Sequence, residues 1–132
     1  MVRLMFFDPP AKPNTRKQGS EAEDLACEQL LSLGYTIQER NWHFHNRGEL
    51  DIVAIDPDRF GQTYLIFVEV KSRHKNLEAS ICALPPSKQA QIKKLASAYI
   101  YEKKLNPDKL NISFDFIAVS RNKIEHFKDI FV

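Results

Sequence analysis

Residues 64–70 read Tyr-Leu-Ile-Phe-Val-Glu-Val, and this run constrains the fold more than any other part of the chain. In an extended strand, alternate side chains share a face. Leu65, Phe67, Glu69 and Lys71 then fall on one side, and Tyr64, Ile66, Val68 and Val70 on the other. Both sides are apolar for most of the run. Such a strand belongs inside a sheet covered on both faces, as in α/β proteins. Glu69 and Lys71 close the run, where the apolar face gives way to solvent.

The rest of the pattern supplies the covering layers. Residues 20–33 read as an amphipathic helix with Ala22, Leu25, Ala26, Leu30 and Leu33 as its stripe. Ser20, with Glu23 three positions on, has the form of a capping box, and Gly34 suits the C-terminal stop. Tyr35–Trp42 reads as a strand and His43–Arg47 as a turn. Leu50–Ile55 and Thr63–Ser72 form a hairpin around Asp56-Pro57-Asp58-Arg59-Phe60-Gly61. Residues 76–84 are irregular. Pro85-Pro86-Ser87 open a second helix that runs to about Leu105, with proline tolerated in the first turn. Its stripe is Ile92, Leu95, Ala96 and Tyr99, and Lys88 extends that stripe toward the N-terminus. Ile112–Val119 and Ile124–Ile130 finish as strands. The order αβββαββ predicts a mixed central sheet flanked by helices, in the α/β class. Residues 1–17 hold three prolines with Lys12, Arg16 and Lys17, and read as a basic arm ahead of a single domain over 18–132.

Composition excludes several functions. With 132 residues, 43% apolar and 27% charged, the chain suits one ordinary soluble domain. A net charge of +2 is too small for bulk charge to announce nucleic acid. No apolar run approaches the ~20 residues of a membrane span, and no secretory leader is visible, so a cytoplasmic location is expected. Cys27 and Cys82 make no Cys-x-x-Cys pair. Four glycines form neither a P-loop nor a dinucleotide fingerprint. Gly-x-Ser-x-Gly is also absent.

What remains is acidic. Gly48-Glu49-Leu50-Asp51 opens one strand-like run and Glu69-Val70-Lys71 closes the next. Carboxylates in apolar strands are costly unless paired or metal-bound. If the two strands pair, Asp51 and Glu69 converge on one ion. Mg²⁺ suits that arrangement, with one or two carboxylates, waters and phosphate oxygens completing its shell. A lysine two residues after the second carboxylate points to phosphodiester chemistry. Arg47, Arg73, His74, Lys75 and Lys88 fall near this site and could form a phosphate-binding rim. Each alone reads equally as a solvated charge, and the charged strand end as an ordinary terminus. His43 and His45, spaced by two, could share a strand face, but histidines in a turn are more often exposed or hydrogen-bonded than ligands. Trp42, Phe44 and Phe60 could stack on unpaired bases or simply pack at strand ends.

Gly19-x-x-x-Glu23-x-x-Ala26, Leu33-Gly34-Tyr35, Arg40-Asn41, Gly48-Glu49-Leu50-Asp51, Phe67-Val68-Glu69-Val70-Lys71-x-Arg73, Lys88 and Phe114-Asp115 together resemble the bacterial YraN family. That family is similar to archaeal Holliday-junction resolvases and to the wider PD-(D/E)xK nucleases. The resemblance covers roughly residues 16–130. It implies a restriction-endonuclease-like core and a metal-dependent nuclease that cleaves DNA, with branched or structured DNA as a candidate substrate. Asp51 resembles the first metal-binding aspartate, Glu69 the acidic residue of the second motif, Lys71 its lysine, and Glu23 the supporting helix glutamate. Leu50 stands where the motif's proline would precede Asp51, a proline that many members lack. The glutamine–tyrosine helix motif of RecB-like members is not present in that form, since Gln91 is followed four residues later by Leu95.

The resemblance implies that Asp51, Glu69 and the Val70 carbonyl hold Mg²⁺ or Mn²⁺, with Glu23 close by and Glu49 in support. Lys71 would orient the attacking water, and Arg47, Arg73, Lys75 and Lys88 would face the nucleic acid. The rival expectation is a nucleic-acid-binding or assembly module that keeps the fold without activity. Resolvase-like enzymes cut two strands symmetrically, which makes a homodimer an expectation as well.

Overall fold

The computed structural model describes residues 17–72, 84–121 and 123–130, with side chains from Glu21 onward. Helix α1 spans Lys17–Ser32, β1 Thr36–His43, β2 Glu49–Arg59, β3 Gln62–Ser72, α2 Pro86–Glu102, β4 Asn111–Ser120 and β5 Lys123–Phe127. The strands form one mixed sheet in the order β1-β2-β3-β4-β5. β3 and β4 run parallel, and every other neighbouring pair is antiparallel. A parallel pair needs a crossover, and α2 lies within that connection. The expected 1–17 arm lies outside the described residues apart from Lys17, which opens α1.

The two-faced run is strand β3, near the middle of the sheet, and each of its faces meets a different helix. Tyr64, Ile66, Val68 and Val70 pack with Ala22, Ala26, Cys27 and Leu30 of α1, together with Ile37, Ile52, Ala54, Ile117 and Val119. Leu65 and Phe67 pack with Ile92, Leu95, Ala96, Tyr99 and Ile100 of α2, together with Trp42, Leu50 and Val53. Ala26, Leu30, Ile52, Val53 and Ile66 have no exposed surface. Each fully buried Leu, Ile or Val contributes about 1.5–3 kcal/mol through this burial. Burial also pushes the Cys27 thiol up to about 11, so it behaves as a small apolar side chain.

Three sequence expectations need correction. Leu25 and Leu33 are exposed, and the buried stripe of α1 is Ala22, Ala26, Cys27 and Leu30. Helical spacing permits either choice, and the narrow strip facing β3 takes the smaller residues. Ser20 lies inside α1 rather than capping it, because the helix begins at Lys17. The β2–β3 loop is shorter than expected. β2 continues through Asp56-Pro57-Asp58 to Arg59, which pairs with Gln62 across a two-residue turn. Phe60 (φ 55°) and Gly61 (φ 77°) both have positive φ, as a type I′ hairpin turn demands. The extra residue between Asp56 and Arg59 is a β-bulge, which lets proline sit in the strand.

Gly34 ends α1 as expected. It has φ +90°, and its N–H donates to the Leu31 carbonyl while the Tyr35 N–H donates to the Leu30 carbonyl. This double bond pattern satisfies the last helical carbonyls and needs a residue that tolerates positive φ.

The bulge turns Arg59 into the protein, where it is 5% exposed. Its guanidinium donates to Asp56, Ser113, the Tyr35 hydroxyl and both oxygens of Asp115, at 2.8–3.1 Å. Asp115 also accepts from Ser113 and from the Asp129 N–H, and its Oδ2 lies 2.6 Å from His126 Nε2. Burial works to raise the Asp115 pKa, but these bonds prevail and hold it well below the usual carboxylate range. A buried charge survives only with this degree of pairing. The Phe114-Asp115 pair of the family pattern therefore ties β4 to Arg59 of β2 and to His126 of β5.

Candidate functional site

The acidic site forms where β2 and β3 part. Their last paired residues at this end are Ile52 and Val68. Beyond them, the Val70 N–H donates to Asp51 Oδ2 at 2.9 Å, so a side chain takes the place of the sheet's own ladder. Leu50 swings to the α2 side with Trp42, which breaks the strict alternation of β2. That change of direction brings Glu49, Asp51 and Glu23 together. One oxygen from each lies within 4.8 Å of the others. Glu23 comes from α1, on the face opposite α2, and the two other carboxylates come from the start of β2.

Glu23 is placed by Arg40 and Asn41 of β1. Asn41 has φ 50°, a region that asparagine tolerates, and its side-chain amide donates to Glu23 Oε1 at 2.9 Å. Arg40 lies 3.8 Å from the same oxygen and 2.7 Å from Asp24. The Arg40-Asn41 pair thus ties α1 to the sheet beside the acidic cluster. His43 Nε2 lies 2.7 Å from Glu49 Oε2, so one of the two candidate histidines reaches the cluster's edge. His45 instead packs its ring against Phe44.

Glu69 is 5% exposed and interacts with Asp51, but it also faces two lysines. Its Oε2 lies 3.7 Å from Lys71 Nζ and 3.8 Å from Lys88 Nζ. Lys71 comes from the same strand and Lys88 from the first turn of α2, as the inward extension of the α2 stripe foretold. Arg47 is exposed in the β1–β2 connection. Arg73 and Lys75 lie outside the described residues, as do His74 and Cys82.

Crowded carboxylates resist ionisation. Burial first, then the charge of Glu69, pushes Asp51 up to about 8, against the Val70 N–H, which favours the ionised form. Burial first, then the charge of Asp51, pushes Glu23 up to about 7, with the Asn41 bond opposing. A group of close, partly desolvated oxygens that repel protons' departure is the donor set a hard divalent cation satisfies. The chemistry of this cluster therefore fits a bound Mg²⁺ or Mn²⁺.

Sequence reasoning singled out Asp51, Glu69, Lys71, Glu23 and Lys88, and the structure places all five within one locality. Glu49, expected only in support, belongs to the tightest carboxylate group. Arg40 and Asn41 carried no chemical signal beyond their place in the family pattern. Their role rests on a pairing of β1 with α1 that no local spacing reveals.

A five-stranded mixed sheet with a helix on each face, and acids gathered at the open end of a hairpin, defines an α/β domain with a polar site at a strand divergence. Residues 22–119 match the model of the family described as Uncharacterised protein family UPF0102. The chain is 38% identical to a UPF0102 protein of Pelobacter propionicus, over 92% of this chain and 86% of the relative. A UPF0102 protein of Natranaerobius thermophilus is also 38% identical, over 89% of this chain and 99% of the relative. One from Tropheryma whipplei is 34% identical, over 85% and 91%. The chain belongs to UPF0102, the YraN family. Among the described residues no helix is long and apolar enough to cross a membrane.

Proposed function

We propose that this protein is a divalent-metal-dependent nuclease of the restriction-endonuclease-like class, acting on DNA phosphodiester bonds. The observation that carries the reading is the gathering of Glu23, Glu49 and Asp51 beside Glu69, with Lys71 and Lys88 both within 4 Å of Glu69. Acids alone would suit any cation. Acids with lysines at their edge suit a cation that shares its shell with a phosphate.

Asp51, Glu49, Glu23, Glu69 and the Val70 carbonyl are the groups that would hold Mg²⁺ or Mn²⁺. The bound ion supplies a water of lowered pKa and offsets charge on the pentacovalent phosphorus. Every other task falls to the chain itself. Lys71, carried by the central strand beside Glu69, would orient the attacking water and stabilise its deprotonated form. Lys88, close to Glu69 at the edge of the cluster, would bind a non-bridging phosphate oxygen of the substrate. Arg47, exposed two residues ahead of Glu49, binds a neighbouring phosphate and sets the register of the nucleic acid without reading its sequence. Arg73 and Lys75 extend that rim in sequence.

The test is incubation of wild type, Asp51→Ala and Lys71→Ala with labelled single-stranded, duplex, flap and four-way-junction DNA, in Mg²⁺ or Mn²⁺. Metal-dependent cleavage of one of these by the wild type, lost by at least ~100-fold in both variants, supports the assignment. Cleavage by either folded variant at the wild-type rate refutes it. Salt-dependent DNA binding without cleavage by the wild type would identify a binding module instead.

A further inference from the structure

We infer that Gln91 of α2 is a positioning residue for the acidic cluster: it clamps the backbone just ahead of Glu49 and thereby sets where Asp51 stands relative to Glu69. The inference deepens the nuclease reading and rests on it for the purpose of the clamp, though not for its existence.

Three observations converge on this contact. Gly48 has φ +123°, and a Cβ built there would lie 2.7 Å from Gln91 Nε2 and 3.4 Å from Leu95 Cδ1. The backbone of the β1–β2 connection therefore lies against the Gln91 and Leu95 side chains, and any Cβ at Gly48 would displace the Gln91 amide from its place. The Gln91 amide donates to the Arg47 carbonyl at 3.0 Å, one residue earlier. The connection is also tied on itself, since the Arg47 N–H donates to the Phe44 carbonyl and the Phe44 N–H to the Gly48 carbonyl. A loop closed this tightly moves as one piece, and Gln91 with Leu95 holds that piece.

The clamp acts where the sheet provides least. Past Ile52 and Val68 the paired register stops, and the bond from the Val70 N–H to Asp51 and the contact of Asp51 with Glu69 span the gap. Gln91 stands three residues after Lys88, on the same side of the helix. One helix face thus touches the connection leading into β2, through Gln91 and Leu95, and β3, through the approach of Lys88 to Glu69. Rigid support behind a group of ligands is what keeps them within reach of one ion. Gln91 itself touches none of the carboxylates through any bond described above, so its effect on the site passes through Gly48.

The experiment uses the full chain with Gln91→Met, which keeps the length and apolar packing of the side chain and removes the donor. Gln91→Glu, which keeps the shape and lacks the donor, is read the same way should the first variant fail to fold. Amide exchange at Val70 is followed in the metal-free protein, Mn²⁺ binding by calorimetry, and the melting temperature alongside. The expected result is about three- to tenfold faster exchange at Val70 and a similar loss of Mn²⁺ affinity, the range one such bond commands. The melting temperature and the exchange of amides in β4 stay near wild type.

Wild-type exchange at Val70 in both variants overturns the inference. So does a uniform rise of exchange across the sheet, which would mark a general loss of stability. Faster Val70 exchange with unchanged Mn²⁺ affinity, in a protein whose wild type binds the ion, overturns the positioning role. If the wild type takes no Mn²⁺ while Val70 exchange still rises in the variants, the clamp stands and the nuclease reading falls.

Discussion

Replacing Asp51 by Asn removes a charge from the acidic cluster and leaves its shape almost untouched, because the amide oxygen can still accept the Val70 N–H. In the metal-free fold, burial and the charge of Glu69 push Asp51 from 3.8 up to about 8. The unfolded chain releases that proton near pH 4, and the folded protein keeps it until about pH 8. Between those values the native state binds more protons, so stability falls as pH rises. The contribution of Asp51 is full below about pH 4 and is lost as pH climbs through about 8. At ~1.4 kcal/mol per pH unit the window amounts to about 6 kcal/mol as an upper bound. Glu23, pushed from 4.5 to about 7, adds loss over the lower part of the same window. The two groups repel each other, so removing one charge eases the other. Asp51→Asn should therefore stabilise the metal-free protein at about pH 9 by roughly 2–5 kcal/mol, or roughly 10 °C in a domain of this size. At about pH 4.5 the advantage should vanish. Thermal and urea melts in EDTA, run from pH 4.5 to 9 on both proteins, measure this directly. Equal stability at pH 9, or the same advantage at both ends of the range, would show that the cluster is not electrostatically strained and would sink the argument.

Two further predictions concern the other end of the hairpin. Arg59→Met leaves Asp115 buried with its main cation gone, and should cost about 3–5 kcal/mol in urea melts; a loss under ~1 kcal/mol would mean that Ser113, His126 and the Asp129 N–H suffice. Phe60 is 89% exposed at φ 55°, so Phe60→Asn trades a residue that resists this conformation for one that accepts it. A gain of about 0.5–1 kcal/mol is expected, and a loss would reveal packing of the ring on Tyr64, 6.5 Å away, as the stronger effect.

Period and punctuation carried most of the fold. The two-faced run over 64–70 named the central strand, and its two sides do meet different helices. Ile92, Leu95, Ala96 and Tyr99 are all buried in α2. Gly34 stops α1 through local geometry that any reader of caps can anticipate. The misreadings lie where a choice depended on partners far along the chain. Leu25 and Ala26 are equal candidates for a helical stripe until the sheet beneath is known. Asp56-Pro57-Asp58-Arg59 has the composition of a loop, and becomes strand because Arg59 finds Tyr35, Ser113 and Asp115, which lie 24, 54 and 56 residues away. The acidic site was legible in Asp51, Glu69 and Lys71, since charge inside an apolar strand is conspicuous. Glu49 entered its centre through the local break in alternation at Leu50, and Gln91 through a backbone approach at Gly48. Neither leaves a mark in residue spacing.

The hairpin of β2 and β3 is paired through to its turn and parted at its mouth. From Asp51 to Phe60 the strand covers nine steps, or about 30 Å at ~3.3 Å each. The tip is thus a convenient handle. A fluorophore or affinity tag introduced at Phe60-Gly61 would sit on an exposed turn, far from the acids, yet at a separation where energy transfer to a labelled ligand at the mouth would be sensitive to where that ligand lies.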